Sequence, residues 1–317
     1  MLRRLAGAAA TLWAIATGLF LLVHLAPGDP VLALGGDFHT AATLAAERDR
    51  LGLDQPLATR YATWLAALAT GDLGTSIQYR APVATVIAER LPVTLALVLP
   101  ALALSTLTGT ALALRAARSP GGAADRSMAA ALLALYAIPI YALAHLLILI
   151  FAVQLGWLPV QGLRDLRTPT EGAARAADLA RHLTLPITAL ATQQMALVWL
   201  VVRAGLIEAR AQPHFTTARA KGLSLPAALR RHALGHAGIG LATVLGTRFA
   251  GLLTAATLVE VVFGLPGMGR LMAQAALGRD HPLLMGCFLC AVALTLAANA
   301  AADATCRRLD PRIGSSP

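Results

Sequence analysis

The chain has 317 residues, of which 57% are apolar and only 13% charged. Uncharged runs long enough to cross a bilayer recur along it, which excludes a single soluble globular domain. A net charge of +10 would point to nucleic acid in a soluble protein; here its distribution points to membrane orientation, and no nucleic-acid partner is expected.

Leu5 to Gly28 carries no charge and follows Arg3 and Arg4. Its apolar part is too long for a signal peptide and has no small-residue cleavage pattern. A first spanning helix over residues 1–28 is expected, stopped by Pro27 and Gly28. Residues 29–90 form the largest polar stretch, read as an outer loop subdomain. Within it Ala41–Leu51 and Pro56–Leu68 have helical periodicity, with Leu44, Leu51, Leu57, Trp64 and Leu65 as apolar contacts. Gly71 to Ile77 is turn-rich. The remainder, 91–317, reads as a core of five further spans.

Leu91–Leu114 is the second span, with Pro92 suited to a first turn and Pro100 to a kink. Arg115, Arg118 and Arg126 flank the next loop, which turns at Ser119-Pro120-Gly121-Gly122. The third span covers Ser127 to Gln154, and Pro139 breaks its hydrogen-bond ladder. Trp157 follows at the interface. Residues 160–182 form a second outer loop. Leu183–Val202 is the fourth span, with Pro186 in its first turn.

Arg203 to His236 is a basic, polar island between two apolar segments, a loop over 203–237. It is too long for a tight turn and carries helix signals. Thr216 and Thr217 offer a cap before Ala218-Arg219-Ala220-Lys221. Gly222 then stops that helix, and Ser224 with Pro226 opens another. By itself such a loop could simply fix orientation.

Gly238–Val262 is the fifth span, interrupted by Arg248. A charge at mid-membrane is expensive. It is expected either to snorkel or pair, or to line a translocation path. Val259 to Gly269 contains Glu260, Pro266 and Gly267, and its three glycines and a proline call for irregular backbone, as in an outer gate or re-entrant turn. His281–Ala302 is the sixth span. Cys287 and Cys290 lie inside an apolar run with no second pair nearby, so core packing is expected and no metal site.

Placing both termini inside puts fourteen of the 26 cations and four of the 16 acids on the inner side. The net charge then falls wholly on one face, as the positive-inside bias requires. The expected class is an all-α polytopic membrane protein with six transmembrane helices, in contact with lipid on its outer surface.

The only lysine, Lys221, is followed by Gly222 and Leu223. A nucleotide-binding P-loop needs Lys followed by Ser or Thr, so any ATP hydrolysis must come from a separate subunit. The spans hold no aspartate pair and no Gly-x-Ser-x-Gly, and His24 and His145 are lone histidines. This weighs against an intramembrane enzyme. An ion-coupled secondary transporter would favour inverted repeats and buried carboxylates, and no repeat is evident.

Thr-Ala-Arg-Ala-Lys-Gly-Leu-Ser (217–224), followed by Arg-His-Ala-Leu (231–234), closely resembles the coupling loop of binding-protein-dependent ABC importer permeases, in the dipeptide, oligopeptide and nickel branch. Leu25 to Val31, Leu51 to Leu57, Gly71 to Gly74, Val259 to Gly269 and Cys306 to Arg312 match the same family. The resemblance departs at Gly240, where proline is common, and at the Thr216-Thr217-Ala218 start, where an acidic residue and alanine are usual. It implies a type I ABC importer permease in the bacterial inner membrane. Thr216, Thr217, Ala218, Arg219, Ala220, Lys221, Gly222, Leu223, Ser224 and His232 would then couple to ATPase subunits, which bind ATP and Mg. A second homologous permease and an extracytoplasmic substrate-binding protein complete the expected partners. The expected cargo is a peptide, or nickel or another chelated metal.

Overall fold

The computed structural model describes residues 2–25, 54–165 and 171–309. Among them the only strand-like feature is an isolated bridge between Thr75 and Pro82. The helices in chain order are α1 (Leu2–Leu25), α2 (Leu57–Ala69), α3 (Val83–Ala116), α4 (Ala123–Ala137), α5 (Ile140–Leu147), α6 (Gly172–Arg210), α7 (Pro213–Ala220), α8 (Leu225–Ala228), α9 (Leu234–Val262), α10 (Met268–Leu277) and α11 (His281–Leu309). Short π-helical turns extend α5 through Ile148–Gln154 and join α8 to α9 through Leu229–Ala233.

Among the described residues, four helical stretches are long and apolar enough to cross a membrane: α3, α6, α8–α9 taken together, and α11. Helices α4 and α5 pass the same test as a pair, and α1 carries a shorter apolar stretch over Ala10–Leu25. Counting the pair as one crossing and α1 as another gives the six expected segments.

Several boundaries differ from the sequence reading. The third span is not one helix: its halves bend by 98°. Pro139 sits at the break with ψ 139 and caps α5, because a proline cannot continue the ladder behind it. The fourth span starts at Gly172 rather than Leu183, so residues 172–182 are helix rather than loop and Pro186 lies inside α6. Ala173, Ala174, Ala176, Ala177 and Ala180 supply the propensity that carries the helix outward. The second span starts eight residues early, at Val83, and runs unbroken through Pro92 and Pro100. Val83, Val86 and Ile87 are all buried, a helical spacing that docks the added turns. The expected helix Ala41–Leu51, with Leu44 and Leu51, and the stop at Pro27 and Gly28 lie outside the described residues.

The chain divides into two compact units: residues 1–93 with 267–294, and residues 94–266 with 295–317. In the first, Phe20, Val23 and Met285 are buried together, with Tyr61 and Trp64 of α2 packed on them. A second cluster joins Val83, Val86 and Ile87 to Met268, Leu271, Ala275, Leu283 and Cys287. Cys287 is therefore a core residue, and all three cysteines are free thiols.

In the second unit α9 lies along α6, and α4 and α5 pack on α6 as well. Gly205 sits at the α6–α9 crossing, where a Cβ would come within 2.8 Å of the Ala237 Cα. The backbone itself is the obstacle, so a side chain at 205 must push the helices apart. Gly205→Val is expected to lower unfolding free energy by about 1–3 kcal/mol, the usual range for overpacking. Gly235, whose Cβ would meet nothing within 4 Å, accepts alanine at no cost. Thermal unfolding of the two purified variants in detergent separates them.

Candidate functional site

The basic island folds into two short helices and a turn. Helix α7 starts earlier than expected: Gln212 is its N-cap and Pro213 opens its first turn. Thr216 and Thr217 therefore lie inside the helix rather than capping it, and the Thr217 hydroxyl donates to the Pro213 carbonyl at 3.0 Å. Proline fixes φ and lacks the N–H that a first turn leaves unpaired, which moves the start to 213.

Gly222 ends α7 with φ +87. Its N–H donates to the Arg219 carbonyl at 3.0 Å, and the Leu223 N–H donates to the Ala218 carbonyl at 3.3 Å. This pair of bonds is the Schellman motif, which needs a left-handed residue at the glycine position. The Arg219 guanidinium also donates to the Leu223 carbonyl. Ser224 then takes the N-cap position of α8, with Pro226 in its first turn.

One face of this unit is buried and the other open. Phe215, Ala228, Leu229 and Ala233 join a core with Trp199, Val202, Leu206 and Ala209 of α6. Thr216, Thr217, Arg219, Ala220, Lys221, Gly222, Ser224 and His232 are exposed, while Ala218 is buried beneath them and Leu223 is intermediate. Arg230 and Arg231 extend the exposed face. The result is an exposed basic surface on an apolar base.

Two arginines tie α6 to its neighbour, Arg203 to the first turn of α4 and Arg210 to the loop before it, a feature the sequence reading missed. Arg203 donates to both carboxylate oxygens of Asp125, at 2.6 and 2.5 Å. Asp125 is 2% exposed and also accepts the Gly121 N–H at 2.8 Å. The Arg203 guanidinium lies 5.4 Å from the Trp199 ring centroid. Arg210 donates to the Ala117 carbonyl at 2.5 Å. In sequence Arg203 and Arg210 look like ordinary positive-inside charges. The one signal was Asp125 as the lone acid among Arg115, Arg118 and Arg126.

The outer candidates are less uniform. Glu260 is fully buried and accepts the Thr94 hydroxyl at 2.6 Å. An acid near a helix C-terminus opposes the helix dipole, so such a donor matters. Gly264, with φ +62, closes α9 by a second Schellman pair: its N–H reaches Val261 at 3.3 Å and the Leu265 N–H reaches Glu260 at 2.8 Å. Only Phe263 to Gly267 is irregular before α10 begins. Gly267 is buried and Pro266 partly so, whereas Arg248 is exposed on α9. Gly240 lies within helical α9, and a Cβ there would sit 3.4 Å from Val201. Among the described residues no group of three or more His, Cys, Asp or Glu is placed to hold a metal ion.

Helices long and apolar enough to cross a membrane, with an exposed basic face between two of them, mark an integral membrane protein. Residues 105–315 match the family described as "Binding-protein-dependent transport system inner membrane component", and residues 1–98 match its N-terminal companion. The chain belongs to this family. It is 33% identical to a protein of Sinorhizobium fredii named "Probable peptide ABC transporter permease protein y4tP", over 99% of this chain and 98% of that one. A "Glutathione transport system permease protein GsiC" of Salmonella typhi is 34% identical, over 90% of this chain and 88% of that one. The chain is thus an ABC importer permease of the peptide branch, an integral inner-membrane transport subunit and not an enzyme. ATPase and substrate-binding subunits are the general partners of this family.

Proposed function

We propose that this permease moves peptides by alternating access, driven by ATPase subunits that dock on the exposed face of α7 and α8. The carrying observation is the two-sided build of residues 213–233: an apolar underside fixed in the core of the second unit, and an open basic top. A short helix so anchored moves as a body with α6 and α9, which is what rigid-body coupling needs. The ATPase pair holds ATP and Mg, and its closure draws two such faces together. A second permease, homologous or identical, supplies the other half of the pathway. Both termini lie in the cytoplasm, as the charge distribution favours. Peptide is proposed as the cargo over nickel or another chelated metal, because the similar permeases carry peptide and glutathione names.

Lys221 and Arg219 are exposed at the tip of this face. Lys221→Glu is expected to cut co-purification of the ATPase subunit from native membranes by roughly three- to tenfold, through like-charge repulsion or loss of an attractive pair. Raising salt weakens the wild-type association and narrows the difference, because exposed charges are screened. Equal recovery of the ATPase with both chains at low salt overturns the docking assignment.

A further inference from the structure

Helix α9 carries a charge with no counter-ion among the described residues. Arg248 lies at its middle, fourteen residues from Leu234 and fourteen from Val262, which is roughly 21 Å from either end. Arg230, Arg231 and His232 keep the preceding turns out of the hydrocarbon. A core about 30 Å thick placed anywhere along α9 therefore includes Arg248. The side chain is exposed, and among the described residues it makes no hydrogen bond and no ion pair. The other formal charge of α9 is Glu260, which is fully buried and accepts the Thr94 hydroxyl.

The surface around Arg248 is polar for a membrane span. The exposed face of α9 runs through Gly240, Thr243, Thr247, Gly251 and Thr254, one helical stripe with Arg248 at its edge. Other spans expose large apolar side chains at mid-length, as α3 does at Leu99, Leu104 and Leu107 and α5 at Leu146. On α9 no large apolar side chain is exposed before Leu258. The Thr243, Thr247 and Thr254 hydroxyls donate to the Ile239, Thr243 and Ala250 carbonyls, each at 3.1 Å. Their protons are thus turned onto the helix, and their oxygen lone pairs are left for an incoming N–H.

The face offers one cation and a row of acceptors. Lipid tails solvate a mid-span guanidinium only at high cost, so such residues face a water-filled path or the bundle interior. A second copy of this chain laid face to face here would set arginine against arginine, which like-charge repulsion opposes. A peptide in transit supplies what the face lacks: a carboxylate at its end and N–H donors along its backbone.

We propose that Arg248 recognises the cargo in transit, its planar guanidinium forking onto the C-terminal carboxylate of a peptide while the threonine oxygens accept from peptide N–H groups. This deepens the reading of the cargo as peptide and rests on it. Arg248 then sets a specificity: linear peptides with a free carboxyl end are carried ahead of those whose end is amidated.

The test uses the complete importer in proteoliposomes, with its binding protein captured from periplasmic extract and a mixture of di- and tripeptides, uptake being read by mass spectrometry of the vesicle contents. Arg248→Cys is measured before and after reaction with water-soluble thiosulfonates that append an aminoethyl cation or a sulfonatoethyl anion. Wild type treated alike corrects for Cys287, Cys290 and Cys306. Uptake by the unreacted variant is expected to fall about tenfold, between the worth of an exposed and of a buried charge pair. The aminoethyl adduct is expected to restore it to within about threefold of wild type, and the sulfonatoethyl adduct to leave it low. Both adducts are made on one assembled protein, so restoration by charge separates recognition from support of the fold. Arg248→Lys and Arg248→Gln decide the matter where the cysteine variant does not assemble: lysine is expected to keep most of the uptake and glutamine to lose about tenfold. Undiminished uptake, no reaction with either reagent, an equal response to the two adducts, or equal loss with lysine and glutamine each overturns the proposal. A wild-type importer that takes up no member of the mixture sinks the peptide reading and this proposal with it, while reaction of Arg248→Cys would still place position 248 on a water-filled path.

Discussion

Gly222→Val is expected to abolish peptide uptake while leaving the permease inserted in the membrane and in normal amount. Gly222 has φ +87 and nothing within 4 Å of where a Cβ would sit. Space is therefore not the difficulty; conformation is. An L-residue in the left-handed region costs about 1–2 kcal/mol, and a β-branched one more. The Schellman pair from Gly222 and Leu223 back to Arg219 and Ala218 cannot form without that conformation. Valine releases the strain by unwinding the end of α7, which re-aims Arg219, Lys221 and Ser224 together. A side chain at 222 meets no neighbour, so insertion is spared. Uptake should fall at least about tenfold, equivalent to a loss of roughly 1.4 kcal/mol in coupling. Asparagine, which tolerates the left-handed region, should restore part of it. Equal uptake with valine and glycine would show that the turn does not aim the docking face.

The second large effect concerns Asp125. Arg203→Ala removes both charge-assisted hydrogen bonds, at 2.6 and 2.5 Å, from a carboxylate that is 2% exposed. The Gly121 N–H alone then faces the charge. Breaking a buried pair on one side leaves an uncompensated ion, at a cost of about 3–5 kcal/mol. The side chain also packs over Trp199, so part of the loss is contact area. The paired variant Asp125→Leu/Arg203→Met removes the charge problem and should recover much of the stability. Arg203→Lys should fall between, since a point charge cannot reproduce the fork. Unfolding midpoints in detergent for wild type and the three variants check this. If Arg203→Ala melts like wild type, the pair is a surface contact of no consequence.

The spans were legible because lipid demands long uncharged runs and nothing else in the chain resembles them. The basic island was legible as helix, glycine stop, helix, because Gly222, Ser224 and Pro226 each act through local backbone chemistry. Its true start at Pro213 was missed: a threonine pair looked like a cap, but the proline upstream had already opened the helix. The 98° bend between α4 and α5 was half legible. Pro139 announces a break but not its angle, which packing against α6 and α9 decides. The extension of α6 to Gly172 was hidden because its polar, alanine-rich turns carry no apolar run.

The polar ties were barely legible, Asp125 as a lone acid among arginines being the one signal. Ser76 donates to Asp280 across 204 residues of chain, and Arg203 to Asp125 across 78. No periodicity or local motif marks such pairs; they appear only when the fold brings the segments together. Arg248, expected either to pair or to line a path, is exposed on α9. Glu260, placed by the sequence in the candidate gate segment, is wholly buried beside Thr94.

The most direct measurement places a photo-crosslinking residue at Lys221 and, as a control, at the exposed Trp157, in cells carrying the complete importer. After illumination, an ATPase subunit covalently joined through position 221 and not through 157 is the expected result, with the yield falling when Gly222 is also replaced by valine. An ATPase joined equally at both positions, or at neither while uptake proceeds, would contradict the assignment of α7 and α8 as the face through which ATP drives this permease.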